Sequence, residues 1–293
     1  MTNLRAFFCI AVKHDRSHVF FYAQNLVNLL TAVVFPEILK LMLFFHTYHE
    51  KVQKPLLYTA ISPKRTPMPK QTKARSQIKS KKRVQEHGEV FTNPREVNAM
   101  LDLVKQETQR IESTFLEPAC GDGNFLAEII TRKMKAIAAS KKPNYKKDRP
   151  AYEKAMLVAV GSIYGIDIMQ DNVKECVARL YKIVTDEYER HFKTDFSEDV
   201  EHCVRFILSK NIVCGNALDM KDYKGDPIRF SEWKNPFNGW INRKEYAFED
   251  LLEKGEEALP LSDTQVPYYI PKEIRDYGNI DYRKVFEYAA QEQ

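Results

Sequence analysis

The sequence predicts an α/β fold: a mostly parallel sheet, doubly wound, with helices on both faces. Three observations predict it. Short apolar strand-like runs alternate with helical patterns through residues 113–220. The first run, FLEPACGDGNFL at 115–126, dissolves into small residues at Ala119–Gly123 and restarts a helical pattern at Phe125. The second, IYGIDI at 163–168, ends on an acid, Asp167. Open parallel sheets bind ligands at the carboxyl ends of their strands, which is where both features stand.

The first element in order is an extension. Residues 1–63 are rich in Phe and Leu, and their apolar part, Leu26–Phe45, approaches the length of a membrane span. Asn28, Pro36, Glu37 and Lys40 interrupt it, which favours a buried or dimer-forming helix over a membrane helix. No small-residue cleavage site follows, so a secretory signal fits poorly. Composition changes sharply near Met68, which reads as a natural start; a chain begun there is expected to fold as well as the whole. Residues 64–86 form a basic arm, with KRTPMPKQTKARSQIKSKKR carrying no acid and no apolar period. It reads equally as a solvated linker and as an arm on nucleic-acid phosphates.

From residue 87 the pattern is globular. Val90–Thr92 is extended, Thr92 or Asn93 caps a helix with Pro94 in its first turn, and Val97, Met100, Leu101 and Val104 share its inner face. Ser113–Glu117 is a buried strand. Phe125–Ala138 is a helix with Leu126, Ile129, Ile130, Met134 and Ile137 inward. SKKPNYKKDRP at 140–150 is a basic loop, and Ala151–Val160 a further helix. After the strand at 163–168 come helices at Asn172–His191 and Asp199–Leu208, then NIVCGNALDM at 211–220 as strand and loop. This globular part runs over 87–224. Residues 225–293 form a C-terminal region with weak signal, in which GDPIRFSEW reads poorly as a buried strand and a helix follows near FEDLLEK.

The chain of 293 residues is 44% hydrophobic and 29% charged, enough for a real core in one or two domains. A net charge of +5 is too mild to show nucleic-acid binding alone. The five cysteines form no CxxC pair and no metal-ligand spacing, which reads as free thiols in a reducing cytoplasm and excludes a zinc site. Cys120 reads as a small buried filler, because no His stands near it in sequence.

The glycine loop narrows the ligand. GxxxxGK[ST] is absent, which excludes a P-loop nucleotide site. GDGNFL lacks the third Gly of a dinucleotide loop, which leaves a dehydrogenase a minor alternative. Glu117 and Asp122 flank the loop; they repel a pyrophosphate and favour a cation. S-adenosylmethionine is such a ligand, with a sulfonium, an ammonium and no phosphate. Asp167 is placed to accept from a ribose diol, and Asn216 to meet an adenine edge through its amide oxygen.

VFTNPREVNAML, FLEPACGDGNFL, YGIDI and CGNALD together resemble, in order, the opening motifs of adenine-N6 DNA methyltransferases of restriction–modification systems. The resemblance covers about residues 87–220 and implies a Rossmann-like domain of the class I methyltransferase type. It implies that Phe91 and Thr92 touch the methionine end of S-adenosylmethionine. Glu117, Pro118, Ala119, Gly121 and Gly123 would form the loop, Asp167 and Ile168 would hold ribose and adenine, and Asn216, Ala217 and Leu218 the adenine. The family more often has Asp where Asn216 stands. The family's [DN]PP[YF] motif, which holds and stacks the flipped base, is missing. KNPFNGW is nearest, with Asn235, Pro236 and Phe237 as catalytic candidates and one Pro short. About seventy residues follow Tyr223, few for the remaining strands and a target-recognition domain. The expected partners are double-stranded DNA and a second methyltransferase, specificity or restriction subunit. An RNA or protein substrate, and a non-catalytic binding module, stand as alternatives.

Overall fold

The computed structural model describes residues 10–12, 78–87, 89–141, 145, 147–234, 239–252 and 271–292. Its elements in chain order are β1 (Ile10–Val12), α1 (Lys81–His87), α2 (Pro94–Asp102), α3 (Lys105–Gln109), β2 (Thr114–Glu117) and α4 (Asn124–Ala139). Then come α5 (Arg149–Gly161), β3 (Ile163–Asp167), α6 (Gln170–Phe192), α7 (Glu198–Asn211), β4 (Ile212–Asn216) and β5 (Lys221–Asp222). The chain continues with β6 (Arg229–Lys234), β7 (Trp240–Ala247), α8 (Phe248–Leu252), β8 (Arg275–Asp281) and a 3₁₀ helix, Tyr282–Gln291. Every described residue belongs to one compact unit.

The larger sheet has the order β1-β2-β3-β4-β5. Its centre, β2-β3-β4, is parallel, and both edge strands are antiparallel. The chain crosses this centre in one direction, so right-handed crossovers place the connecting helices on one face. Alternation along the strands agrees. Phe115, Ile163 and Ile212 pack into the core formed with α2, α4, α5, α6 and α7. Leu116, Tyr164, Ile166 and Val213 face a second core built with Ile228, Phe230 and Phe248. Among the described residues β6 and the short α8 cover the second face, in place of the crossover helices expected there. A reversal of strand order, which double winding needs, does not occur among the described strands.

Local chemistry explains most boundaries. The Asn93 side chain accepts from Arg95 N–H and caps α2, with Pro94 in its first turn. Asp148 caps α5 in the same way through Ala151 N–H. In α4 the predicted inward residues Leu126, Ile129, Ile130, Met134 and Ile137 are all buried. In α6, Cys176, Leu180 and Val184 are buried, and Val173, Val177 and Ile183 lie at the margin.

Three features differ from expectation. GDPIRFSEW does contain a strand: β6 buries Phe230 and Ser231 and pairs with β7 in a separate antiparallel sheet, β6-β7-β8. The C-terminal residues, aperiodic in sequence, are tied in by Tyr282, Val285 and Tyr288, all buried. Residues 78–87, the end of the basic arm, are placed, with α1 held by ion pairs to α6. Ile10–Val12 also pair with β2, so a chain begun at Met68 would bare the backbone edge of that strand. The apolar stretch Leu26–Phe45 lies outside the described residues. Among those described, no helix is long and apolar enough to cross a membrane.

Polar locks hold the amino ends of the strands. Lys133 is fully buried on α4, and its ammonium donates to Ile111 O at 2.8 Å, to Ser113 O and to Ser162 Oγ at 2.7 Å. Asn211 donates to Ile163 O at 3.0 Å and accepts from Trp233 Nε1 at 2.9 Å. Arg243, also fully buried, binds Ser231 Oγ, Glu245 and Glu292, and so anchors the C-terminal end of the chain to β7.

Burial pulls Lys133 down from its ordinary 10.5 to about 7. The unfolded chain therefore binds a proton between those values that the folded chain has shed, and stability from this group grows as pH rises through the window. Lys133→Met removes that term and strands buried carbonyls, a cost of about 1–3 kcal/mol. Urea unfolding at pH 7 and pH 9 should show the deficit of the variant against the native chain widening at pH 9.

Candidate functional site

Glu117, Asp167 and Asn216 end three adjacent parallel strands. The register pairs Glu117 with Gly165 and Asp167 with Cys214, so each strand reaches two residues further than the one before. Side chains alternate along a strand, and a two-residue step keeps all three on the helix-bearing face. The sequence-predicted residues of the three strand ends are thereby brought together around the loop 118–123.

The loop is built on the backbone. Cys120 N–H donates to Ile166 O at 2.8 Å, and Gly123 N–H to Cys120 O at 2.8 Å. Gly121 has φ +53°, and a Cβ there would come within 3.0 Å of the Phe91 ring. Gly123 has φ +85° and precedes α4; a Cβ there would lie 2.6 Å from Cys176 Sγ. Both glycines are therefore required by left-handed backbone and by close packing. Phe91 seats its ring on the loop, and Thr92 O accepts from Asn124 Nδ2 at 3.2 Å. Pro118 is half-buried and Ala119 exposed at the mouth.

Charges around the loop are unequal. Glu117 is 2% exposed. Asp122, expected to offer a second negative charge to a ligand, is instead buried against Arg179 of α6 at 3.4 Å. Asp167 ties two strand ends together: its Oδ2 accepts from Gly121 N–H at 2.9 Å, and its Oδ1 from Met169 N–H at 2.8 Å and Asn172 Nδ2 at 3.2 Å. Burial raises its carboxyl above the ordinary range, a rise these three donors oppose and the nearby Glu89 adds to. Asn216 Oδ1 accepts from Leu218 N–H at 3.0 Å, closing its own turn. Ala217 is buried, and Ile168 and Leu218 are 50% and 62% exposed, apolar and open at the strand ends. Hydrogen bonding to Cys176 and burial push the Cys120 thiol well above its usual range, which keeps it protonated and unreactive.

Asn235, Pro236 and Phe237 lie outside the described residues. Their flank is described, and it runs away from the loop. Ile228 N–H donates to Met220 O at 2.8 Å, near the carboxyl end of β4. From there β6 crosses the second face to Trp233, which bonds Asn211 and packs on Gly161 at the amino ends of β3 and β4. Six strand residues span about 20 Å. The basic loop at 140–150 likewise begins beyond α4, whose sixteen residues span about 24 Å from Gly123. Two surface grooves, one between α2, α4 and α6 and one between α6, α7 and the start of β4, are lined by none of Glu117, Asp167 and Asn216.

Sequence reasoning missed the residues behind the site. Glu89 accepts from Asn172 Nδ2 at 2.7 Å, and Asn172 in turn contacts Asp167, Lys79 and Arg83. The available signal was position: Asn172 stands five residues after Asp167, in the first turn of the next helix, and Glu89 two residues before Phe91.

Residues 90–227 match the family model described as MmeI, DNA-methyltransferase domain. That segment is therefore similar to a DNA-methyltransferase domain; it contains the glycine loop and all three strand ends, and it stops before β6. No curated protein and no solved structure matches the chain.

Gly123→Ala should destabilise the fold by about 2–4 kcal/mol, from left-handed strain and the clash with Cys176. In a Cys176→Ala background the same substitution should cost less, because only the backbone strain remains. Denaturant unfolding of the four chains separates the two terms.

Proposed function

We propose that this chain is an S-adenosylmethionine-dependent DNA methyltransferase of restriction–modification type, or the cofactor-binding portion of one, acting on the N6 amine of adenine. The observation that carries this reading is the set Glu117, Asp167 and Asn216 on one face around a glycine loop, inside the segment similar to the MmeI DNA-methyltransferase domain.

The residues present fit the cofactor. Gly121 and Gly123 give the loop its left-handed turns, packed on Phe91 and Cys176, and Glu117 offers a carboxylate for an ammonium. Asp167 Oδ2 takes one protein donor, and a carboxylate oxygen has two acceptor sites, which leaves room for a ribose hydroxyl. Phe91 and Thr92 border the loop on the side assigned to the methionine end, with Pro118 and Ala119 at its mouth. Ile168, Ala217 and Leu218 offer apolar surface to an adenine ring, and Asn216 keeps its amide N–H groups and a second lone pair for the ring edge. S-adenosylmethionine would supply a methyl group on a sulfonium, transferable in line to an amine without a metal. The chain's own residues bind and orient; positioning of this kind supplies much of the rate in such transfers. The free thiols Cys120, Cys176, Cys203 and Cys214 suit a reducing cytoplasm.

The path of β6 favours the cofactor-binding portion over a complete enzyme. The adenine must arrive at the carboxyl ends of the strands, whereas Trp233 and Lys234, which lead into Asn235, Pro236 and Phe237, stand at the amino ends. On this reading the residues that hold the flipped base come from a partner: a second methyltransferase, specificity or restriction subunit. Double-stranded DNA is the shared substrate, and the basic residues of 64–86 other than Lys79 and Arg83, whose charges are met by Asp171, Glu175 and Glu89, supply phosphate contacts.

The test is transfer of labelled methyl from S-adenosylmethionine to mixed-sequence DNA, with RNA in parallel, by the purified chain alone, cofactor binding being measured separately. Bound cofactor without labelled N6-methyladenine is expected. Robust labelling of DNA, lost by 100-fold or more (about 3 kcal/mol) on Asn235→Ala or Phe237→Ala, would establish a complete enzyme instead. Absence of cofactor binding would overturn both forms of the reading.

A further inference from the structure

Asn172 stands in the first turn of α6 and is 1% exposed. Its amide makes four contacts. Nδ2 donates to Asp167 Oδ1 at 3.2 Å and to Glu89 Oε1 at 2.7 Å. Oδ1 accepts from Lys79 Nζ at 2.8 Å and from Arg83 Nη2 at 3.2 Å. A side-chain amide has two N–H donors and two lone pairs on oxygen, so its capacity is filled. Its orientation is forced as well: turned end for end, it would set N–H groups against two cations and oxygen against two carboxylates.

The contacts continue on both sides. Arg83 pairs with Glu89 and with Asp171, each at 2.6 Å, and Lys79 pairs with Asp171 at 3.0 Å and Glu175 at 2.8 Å. These pairs hold α1 on the first turns of α6. On the other side, Asp167 Oδ2 takes the Gly121 N–H. An unbroken chain of polar contacts thus runs from α1 to the glycine loop. Glu89 and Asp167 are like charges in a partly buried place, and the Asn172 amide stands between them as donor to both.

We infer that Asn172 is a positioning residue of the cofactor site. It fixes the Asp167 carboxylate and, through it, the glycine loop; the docking of α1 by Arg83 and Lys79 fixes Asn172 in turn. The inference rests on the proposed S-adenosylmethionine site. It gives Lys79 and Arg83, at the end of a basic arm, a task other than phosphate contact: their charges are already met by Asp171, Glu175 and Glu89.

Asn172→Asp is the sharpest probe, since it keeps the shape and replaces two donors with acceptors, setting a third carboxylate against Asp167 and Glu89. Titration of the full chain with S-adenosylmethionine should show affinity falling about tenfold in Asn172→Asp and in Asp167→Asn. The double variant should bind no worse than Asp167→Asn alone, because residues in one network couple. Hydrogen exchange gives a readout without cofactor: the Gly121 amide should exchange faster in Asn172→Asp than in the native chain. Should Asn172→Asp fail to fold, Arg83→Met on α1 replaces it, with affinity expected to fall about threefold (about 0.7 kcal/mol) at a nearly unchanged melting temperature. Native affinity in either folded variant, or full additivity in the double variant, overturns the inference and leaves the cofactor reading standing. A native chain that binds no S-adenosylmethionine overturns both.

Discussion

The carboxylate of Asp167 joins the glycine loop, 46 residues before it in the chain, to the turn after its own strand and the first turn of α6. It receives the Gly121 amide from the first loop, the Met169 amide from the turn after its own strand, and the Asn172 side chain from α6. Each bond is ordinary in length. Their convergence on one half-buried acid makes the strand ends a single object, because the parallel register alone fixes the strands and leaves the loops above them undetermined. Removing any donor leaves a desolvated charge short of a partner, which costs more than the bond contributes when made. The glycine loop is therefore held from below by Ile166 O, from the side by the Phe91 ring, and from behind by Asp167.

Much of this was readable in the sequence for a physical reason. Elements buried on one side must repeat their apolar residues at the period of the element, so α4 and α6 declared both their limits and their inner faces. The strands at Thr114–Glu117, Ile163–Asp167 and Ile212–Asn216 were short apolar runs bounded by turn residues. The glycine loop was visible because Gly121 and Gly123 do what other residues cannot, adopting left-handed backbone under close contact. The second face of the sheet was hidden. Strand β6 carries Arg229, Ser231, Glu232 and Lys234 around one buried aromatic, Phe230, and only its pairing with β7 makes a strand of it. The 3₁₀ helix was hidden likewise, since it is held by Cys203, Glu153 and Ile241, partners remote in sequence.

Polar networks were the hardest to foresee. Arg83 and Lys79 look from the sequence like the rest of a basic arm, and Asp171, Asn172 and Glu175 like the solvated start of a helix. Neither pattern announces that the two meet. Asp122 shows the converse: its place in the loop suggested a ligand charge, yet Arg179, 57 residues on, has claimed it. Composition and spacing report burial well because burial is local to an element. They report ion pairing poorly because it is decided by which elements become neighbours.

That distinction bears on how the two poles of the sheet divide the chemistry. The carboxyl pole carries backbone amides, two deeply buried acids, Glu117 and the Arg179-paired Asp122, and open apolar side chains, a surface that the proposed function gives to a small cationic ligand with a flat ring. The amino pole is closed by Lys133, Asn211, Trp233 and Arg243, each with its polar atoms committed to the fold. The chain reaches that closed pole just before the segment that most resembles a base-holding loop. On the proposed function a methyl donor and an acceptor amine must come within van der Waals contact, and about 20 Å of strand separates the two poles. On that reading, whatever presents the acceptor approaches the carboxyl pole from outside β6, where Tyr223 is an exposed apolar side chain beside the surface assigned to the cofactor.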